Sequence, residues 1–370
     1  MSVGLGVLGC GSVFAGPYAG MIDRLADHGR AHVAGVYDLD ERKRHGAAAR
    51  YGVEPELAGP EALIARDDVD AVLVLTSMNE HGALTRAALE AGKHVLVEKP
   101  IATSLAEAHE LVELSHRSAG LLVCAPHIVL SPTFRAIHDA VRGGTIGRLL
   151  TARARYGWAG PWWGDWFYEP GGGSLFDLGV YNVTTLCALF GPAKRVTAMV
   201  GTAIPVRDVN GRPFEVKADD NAHVLLDFGE ARFAVVTTGF TMQKYRSPAV
   251  ELYGSEGTIQ LLGDDWAPEG WELWRNDEQC WRLVPESDPH WQWTDGLRHL
   301  VDCIERDTPT ITRPEHAVHA LEIMLAAQAA GADGVAREIE SGFPAPVFAQ
   351  AHLDAEAAHR AHDRRSHGGL

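Results

Sequence analysis

Val3-Gly4-Leu5-Gly6-Val7-Leu8-Gly9-Cys10-Gly11-Ser12-Val13-Phe14 decides the fold of the first part of this 370-residue chain. A short apolar run, a glycine turn and a helical stretch to about His28 form a strand, turn and helix. In dinucleotide-binding turns the first glycine makes the bend, the second admits a pyrophosphate, and the third packs helix on strand. Gly9 and Gly11 fill the first two places, whereas Phe14 occupies the third, with Ala15 and Gly16 after it. Alone, these glycines also fit an ordinary strand-to-helix turn. The following segment favours the cofactor reading, because Ala31 to Tyr37 is a second apolar strand ending at Asp38, where a carboxylate accepts ribose hydroxyls. Such an acid repels a 2′-phosphate, so NAD is expected ahead of NADP. Arg42, Lys43 and Arg44 follow closely and suit either a phosphate or a solvated helix face.

Outward from this unit, strand signals at Ala71 to Leu75, His94 to Val97 and Leu122 to Cys124 alternate with helices from about Asn79 to Ala91 and Leu105 to Ser118. That rhythm predicts a parallel doubly wound sheet. Ligands of such sheets lie beyond the carboxyl ends of the strands, which places Thr76, Ser77, Met78, His81, Glu98, Lys99 and His127 near the crevice. The expected cofactor contacts are Gly9, Gly11, Ser12, Val13, Phe14, Asp38, Thr76, Ser77, His81, Glu98 and Lys99. His81 alone is more often a packing or capping residue than a catalyst. Glu98-Lys99-Pro100 is the most informative tripeptide, since lysine seldom ends a buried strand without a purpose. The proline holds Lys99 in extended geometry and is compatible with a cis bond. A Glu98–Lys99 salt bridge at a surface turn is the competing reading.

A second stretch, Gly171-Gly172-Gly173-Ser174-Leu175-Phe176-Asp177-Leu178-Gly179-Val180-Tyr181-Asn182, runs from glycines into a helix. Asp177 and Tyr181 are four apart, so on a helix they project about 40° from each other and share a face. The glycines let the backbone pass close to a ligand or another segment. A glycine turn, an N-cap at Ser174 and a core tyrosine make the plainer alternative.

The second half is β-rich, with strands expected at Leu149 to Gly157, Arg195 to Val200, Ala222 to Phe228, Arg232 to Thr238, Val250 to Tyr253, Thr258 to Leu262 and Glu272 to Val284. These predict an open, mostly antiparallel sheet. Helices are expected at Pro132 to Arg142, Gln292 to Glu305 and Pro314 to Ala330. Trp158, Trp162, Trp163 and Trp166, beside Phe167 and Tyr168, suit the C–H faces of a sugar ring or a buried subunit interface equally well. Domains are expected at 1–125, 126–340 and a tail at 341–370 without catalytic role.

A formal charge of −16 with no basic stripe argues against a nucleic-acid partner. Cys10, Cys124, Cys187, Cys280 and Cys303 are scattered and odd in number, which fits buried, reduced thiols in a cytoplasm and no metal site. Val3 to Leu8 is too short to span a membrane and lacks a basic flank, so it reads as a strand rather than a signal peptide.

Gly9-Cys10-Gly11, Asp38, the run from Ala91 to Pro100 and the stretch from Gly171 to Tyr181 resemble the glucose–fructose oxidoreductase, inositol dehydrogenase and rhizopine-catabolism family, Gfo/Idh/MocA, over about residues 3 to 330. The Glu-Lys-Pro run is the specific part and the glycine turn is generic. The resemblance implies a Rossmann domain followed by an α+β domain, whose large sheet pairs subunits into a homodimer or homotetramer. It implies Lys99, Asp177 and Tyr181 as catalytic residues. Many members have histidine at the position of Tyr181, whereas the glucose–fructose and dihydrodiol branches have tyrosine. Thr184 stands where a second acid often occurs, which puts inositol dehydrogenase itself in doubt.

The expected reaction is hydride transfer between NAD and a secondary alcohol of a sugar, glycoside or cyclitol. Tyr181 is the expected acid/base, with the Lys99 ammonium favouring its phenolate and Asp177 positioning hydroxyls or Lys99. Lys99 as proton acceptor, with Tyr181 orienting the substrate, is the other arrangement. Expected substrate contacts are Lys99, Asp177, Tyr181, Asn182, His127, Trp163 and His290. Two further classes stay open: a redox-assisted lyase or glycosidase that recycles bound NAD, and a non-catalytic sugar or cofactor sensor.

Overall fold

In the computed structural model, which describes residues 2–56, 58–285 and 288–367, β1 (Val3–Leu8) is buried throughout and pairs in parallel on both sides. Around it lie β2 (Ala31–Tyr37), β3 (Ala71–Val74), β4 (His94–Val97) and β5 (Leu122–Cys124), in the order β2-β1-β3-β4-β5. The chain leaves β1 on one side to form β2 and returns on the other to form β3. Strand order therefore reverses between β1 and β3, where an open parallel sheet presents its ligand crevice. Buried strands in a parallel sheet are continuously apolar, which is why these segments were legible.

The crossovers are α1 (Ala19–Asp27), α2 (Glu41–Tyr51), α3 (Pro60–Ile64), α4 (Met78–Glu90) and α5 (Leu105–Arg117). Asp40 caps α2 by accepting from the Arg42 and Lys43 amides, and Gly52 closes it in the left-handed region at φ 66°. Ser104 caps α5 through the Glu107 amide.

The second sheet has nine strands: β6 (Leu149–Gly157), β7 (Arg195–Gly201), β10 (Asn221–Asp227), β11 (Phe233–Gly239), β12 (Val250–Gly254), β13 (Gly257–Asp264), β14 (Ala267–Arg275), β15 (Trp281–Val284) and β16 (Arg337–Glu338). The hairpin β8 (Val206–Val209) and β9 (Arg212–Glu215) stands apart as its own small sheet. The large sheet is antiparallel except between β6 and β11, which run parallel. Along β10, residues alternate between buried Ala222, Val224 and Leu226 and exposed His223 and Leu225, so only one face is covered within the chain. On the covered side are α6 (Pro132–Arg142) and α7 (Val180–Phe190), the latter buried at every residue.

Two expectations about strands change. Glu272 to Val284 is a hairpin of two strands, turned at residues 276–280, and β8–β9 was not anticipated.

By its contacts the chain divides into Met1–Ala125 with Thr294–Pro314 and Pro346–Leu370, and Pro126–Trp293 with Glu315–Ala345. The expectation of a contiguous 126–340 domain and a separate tail therefore does not describe the fold. Within the first unit, α8 (Gly296–Arg306) packs on α1, β4 and β5, and α10 (Gln350–His367) packs on α8. The remaining long helix, α9 (Pro314–Asp333), belongs almost wholly to the second unit. Arg298 is buried between Asp295 and Asp302, and Arg30 joins Asp302 at 2.5 Å and Glu305 at 2.6 Å. Low apolarity hid this return from the sequence, since α10 buries His352, Ala355, Glu356 and His359. Among the described residues, no helix is long and apolar enough to cross a membrane.

Candidate active site

In the first unit, Gly9 has φ 94°, and a Cβ there would lie 2.6 Å from the backbone of Leu75, so the turn requires glycine. A Cβ at Gly11 would meet nothing within 4 Å. That open space precedes the Ala15 amide bond to the Gly11 carbonyl, leaving the amides of the first turn at the mouth of the crevice. Ser12 is exposed and Val13 half-buried, as an anion cradle needs. The residues present thus fit a dinucleotide pyrophosphate. The Phe14 ring is buried and tilts against Tyr51, with centroids 6.1 Å apart. Its side chain serves the core, and the helix opens with a π-turn over Phe14–Tyr18 that contains Pro17.

Asp38 follows β2 and accepts the Cys10 amide at 2.7 Å and the Asp40 amide at 2.8 Å. The carboxylate thereby ties the glycine turn to the neighbouring strand. Arg44 donates to the Asp38 carbonyl at 2.7 Å, and Lys43 lies 3.8 Å from Asp40. Burial, with Asp38 next, pushes the Cys10 thiol up to about 12, so it is a packed thiol rather than a nucleophile.

Thr76 and Ser77 follow β3, half-buried and exposed respectively. His81 is fully buried, with Nδ1 2.7 Å from the Pro100 carbonyl and Nε2 3.1 Å from the Thr76 carbonyl. Burial lowers its pKa. Both ring nitrogens face protein carbonyls, so His81 positions the loops around the crevice instead of offering a free ring edge to a cofactor. Glu98 is buried, accepting the Tyr18 hydroxyl at 2.9 Å and the Lys99 amide at 3.2 Å. This is not a surface-turn carboxylate. Lys99 is half-buried, and the Lys99–Pro100 bond is cis.

In the second unit, Asp177 and Tyr181 flank a change of helix type: Leu175–Gly179 is a π-turn, and α7 continues from it. Ser174 does not cap this helix. Its hydroxyl donates to Asp219 at 2.8 Å, and the same carboxylate oxygen accepts the Leu175 amide at 2.9 Å. Gly173 has φ 98°, and a Cβ there would lie 2.4 Å from Asp219. The glycines therefore admit another protein segment.

Tyr181 is buried and meets Tyr156 edge to face at 5.8 Å. Burial raises the Tyr156 pKa far above that of free phenol, and Asp177, Asp264 and Asp265 push it the same way. Tyr156 thus touches Tyr181 and senses Asp177, consistent with a shared face. Tyr245 donates to Asp264 at 2.7 Å, and Trp266 lies 6.0 Å from the Tyr156 ring. Neither the Asp264–Trp266 corner nor Asp219 was singled out from sequence; a hairpin acid pair carries no local signal of what it faces.

Three of the expected substrate contacts differ in exposure. Asn182 is fully buried and donates to Asp265 at 2.7 Å, so it holds α7 to the β13–β14 corner. His127 is 1% exposed at the start of a short 3-10 turn. His290 is exposed in a turn, its amide bonded to Asp288 at 3.2 Å. Trp163, by contrast, is 45% exposed, stacks on Trp158 at 5.5 Å and meets Trp162 edge to face at 5.7 Å. Arg207 fixes the base of this aromatic loop, with bonds to the Ala159 and Phe240 carbonyls and to buried Asp220 at 2.8 Å. Of the cysteines, Cys280 departs from the expected burial and is exposed.

Lys99 lies in the first unit, and Asp177, Tyr181, Asn182, Trp163, His127 and His290 lie in the second.

Comparison with known proteins adds the following. Residues 3–125 match the model described as the oxidoreductase family, NAD-binding Rossmann fold, and residues 134–260 match the GFO/IDH/MocA C-terminal domain. A 1,5-anhydro-D-fructose reductase from Ensifer adhaerens is 30% identical over 304 residues, covering 80% of this chain and 87% of that protein. A trans-1,2-dihydrobenzene-1,2-diol dehydrogenase from Oryctolagus cuniculus is 28% identical over 307 residues, 76% of this chain and 85% of that one. In fold, a levoglucosan dehydrogenase in complex with NADH and levoglucosan superposes with a TM-score of 0.79 at 18% identity, over 92% of this chain and 100% of that one. With both family models matched and a 30% relative covered over most of its length, this chain belongs to the Gfo/Idh/MocA family of NAD(P)-dependent oxidoreductases.

Proposed function

We propose that the protein interconverts a secondary alcohol and a ketone on a sugar-like small molecule, using NAD. The observation that carries the reading is the rim of the first sheet, where an open glycine cradle after β1 and Glu98-Lys99-cis-Pro100 after β4 leave the same sheet at its ligand-binding end. When bound, the nicotinamide supplies the hydride acceptor. The protein must then move the hydroxyl proton. Tyr181 does so as acid/base, Lys99 provides the positive charge that favours a phenolate, and Asp177 orients the substrate hydroxyls.

A sugar-like substrate is supported by the relative named for anhydrofructose and by the fold neighbour that holds levoglucosan. In the Trp158–Trp163 stack, Trp158 is half-buried and the exposed Trp163 offers an aromatic face to a ring. NAD is favoured over NADP because the Asp38 carboxylate repels a 2′-phosphate, while Arg44 and Lys43 engage Asp38 and Asp40. Reduction and dehydrogenation, the activities named among the relatives, favour net oxidoreduction over the recycling lyase or the sensor.

Purified protein given NAD, and separately NADP, with a panel of monosaccharides, anhydrosugars, cyclitols and glycosides tests this by NADH absorbance. Sustained NADH formation with one sugar class is expected. Product without net NADH would replace this reading with the recycling lyase, and no product from any class would leave the sensor.

A further inference from the structure

The helices α8 and α10 meet over buried donor atoms that the oxidoreductase chemistry does not use. His299 and Cys303 are one turn apart on α8, and His352 sits in the first turn of α10. All three are buried, and one donor atom from each lies within 4.8 Å of the other two, the one such group among the described residues. The Cys303 Sγ to His299 Nε2 separation is 3.6 Å. Sulfur and nitrogen on one tetrahedral zinc, with bonds of about 2.3 and 2.0–2.1 Å, stand about 3.6 Å apart.

A second observation points to the same place. His352 is 6% exposed, yet among the described residues its Nδ1 has no hydrogen-bond partner. The other edge of its ring bonds to the Pro309 backbone. An imidazole whose one nitrogen is held by a carbonyl keeps a lone pair on the other, which is how ligand histidines are oriented. We propose that His299, Cys303 and His352 bind one divalent cation of the zinc class, clamping α10 onto α8.

One thiolate and two imidazoles form a borderline-soft donor set that selects such ions over magnesium or calcium. On loading, the Cys303 S–H bond breaks, a sulfur–metal bond forms and the proton leaves to solvent, with no change in oxidation state. The His299 Nε2 now accepts the Ile311 amide at 2.9 Å, so loading exchanges that bond for the metal. Donor pairs on tetrahedral zinc lie about 3.4–3.6 Å apart, so no pair need close by more than roughly 1 Å. Three protein donors leave a fourth position for a water or a carbonyl. Because α8 packs on β4, the clamp braces the strand that delivers Glu98 and Lys99.

The test is titration of chelator-treated, full-length protein with Co²⁺, a spectroscopic substitute for zinc. One equivalent should produce a thiolate-to-cobalt charge-transfer band and tetrahedral d–d bands, which Zn²⁺ then displaces while raising the melting temperature. Cys303→Ser should abolish the charge-transfer band. His352→Ala should weaken binding by more than the roughly 10–100-fold typical of losing an outer-shell partner. Cys280→Ser, which removes the exposed thiol, should change neither. Absence of the band from the wild-type protein overturns the proposal, as does its survival in Cys303→Ser or its loss in Cys280→Ser. If Cys303→Ser does not fold by circular dichroism, the wild-type titration and His352→Ala decide: unchanged affinity in the latter overturns the clamp.

Discussion

Asp265 shows what burial does to a single carboxyl. Desolvation pushes it up to about 7 from an ordinary 3.8, against the opposing hydrogen bonds from Asn182 and Thr185. The folded state therefore keeps a proton that the unfolded chain releases between about pH 4 and pH 7. Stability contributed by this group falls as pH rises through that window and is level above it. Asp265→Asn retains an acceptor for both donors and removes the ionisation. It should match the wild type near pH 4 and be more stable near pH 8 by up to about 4 kcal/mol, read as a melting-temperature difference. Equal melting temperatures at both pH values would contradict the assignment. Asp265 was invisible in the sequence because its partner Asn182 is 83 residues away. Lys99, Asp177 and Tyr181 were legible as candidates because each sits in a local pattern, a strand end before proline or a glycine-rich helix start. The burial of Asn182 and His127 was not legible for the complementary reason: sequence placed them beside such patterns without giving their depth in the fold.

The π-turn at Leu175–Gly179 is held by one buried acid from a distant segment. Asp219 accepts Ser174 Oγ and the Leu175 amide, and Gln328 donates to its other oxygen at 3.3 Å. Asp219→Ala leaves those buried donors unsatisfied, at a cost of about 1–3 kcal/mol. Since Asp177 is within this turn and Tyr181 just beyond it, turnover should fall with stability, and Asp219→Asn should restore most of both. Thermal melts and kcat measured together check this; an Asp219→Ala protein with normal kcat would detach the turn from catalysis. Most elements were legible as apolar runs, within a few residues of their observed bounds. The hairpin β8–β9 is short and polar, yet it carried a signal: Asn210 at φ 54° and Gly211 at φ 76° form the Asn-Gly turn that favours a two-residue hairpin. No comparable signal marks α10, whose buried positions are mainly histidine, alanine and glutamate.

The large sheet leaves apolar side chains on its uncovered face. Met199 on β7 is 80% exposed, and Leu225 on β10 pairs in register with Val235 on β11 beside exposed Phe233. An uncovered face of this kind favours a two-fold partner. Light scattering should show a dimer or tetramer, and Leu225→Lys combined with Val235→Lys should reduce the mass to that of one chain; an unchanged mass would move the interface elsewhere. The composition argues against a basic nucleic-acid surface, whereas the discontinuous first unit could not be read, because its returning segments lie far along the chain. The most direct test of the proposed chemistry is a double-mutant cycle on hydride transfer with the best substrate of the panel, comparing Lys99→Met, Tyr181→Phe and the pair. Each single change should lower kcat by about 10²–10⁴ with NAD binding retained. Lys99→Met should do so across the whole pH range. If the two groups act as one proton-transfer unit, the double variant is about as slow as the slower single one. Losses that multiply, or a Tyr181→Phe enzyme with undiminished kcat, would contradict the account.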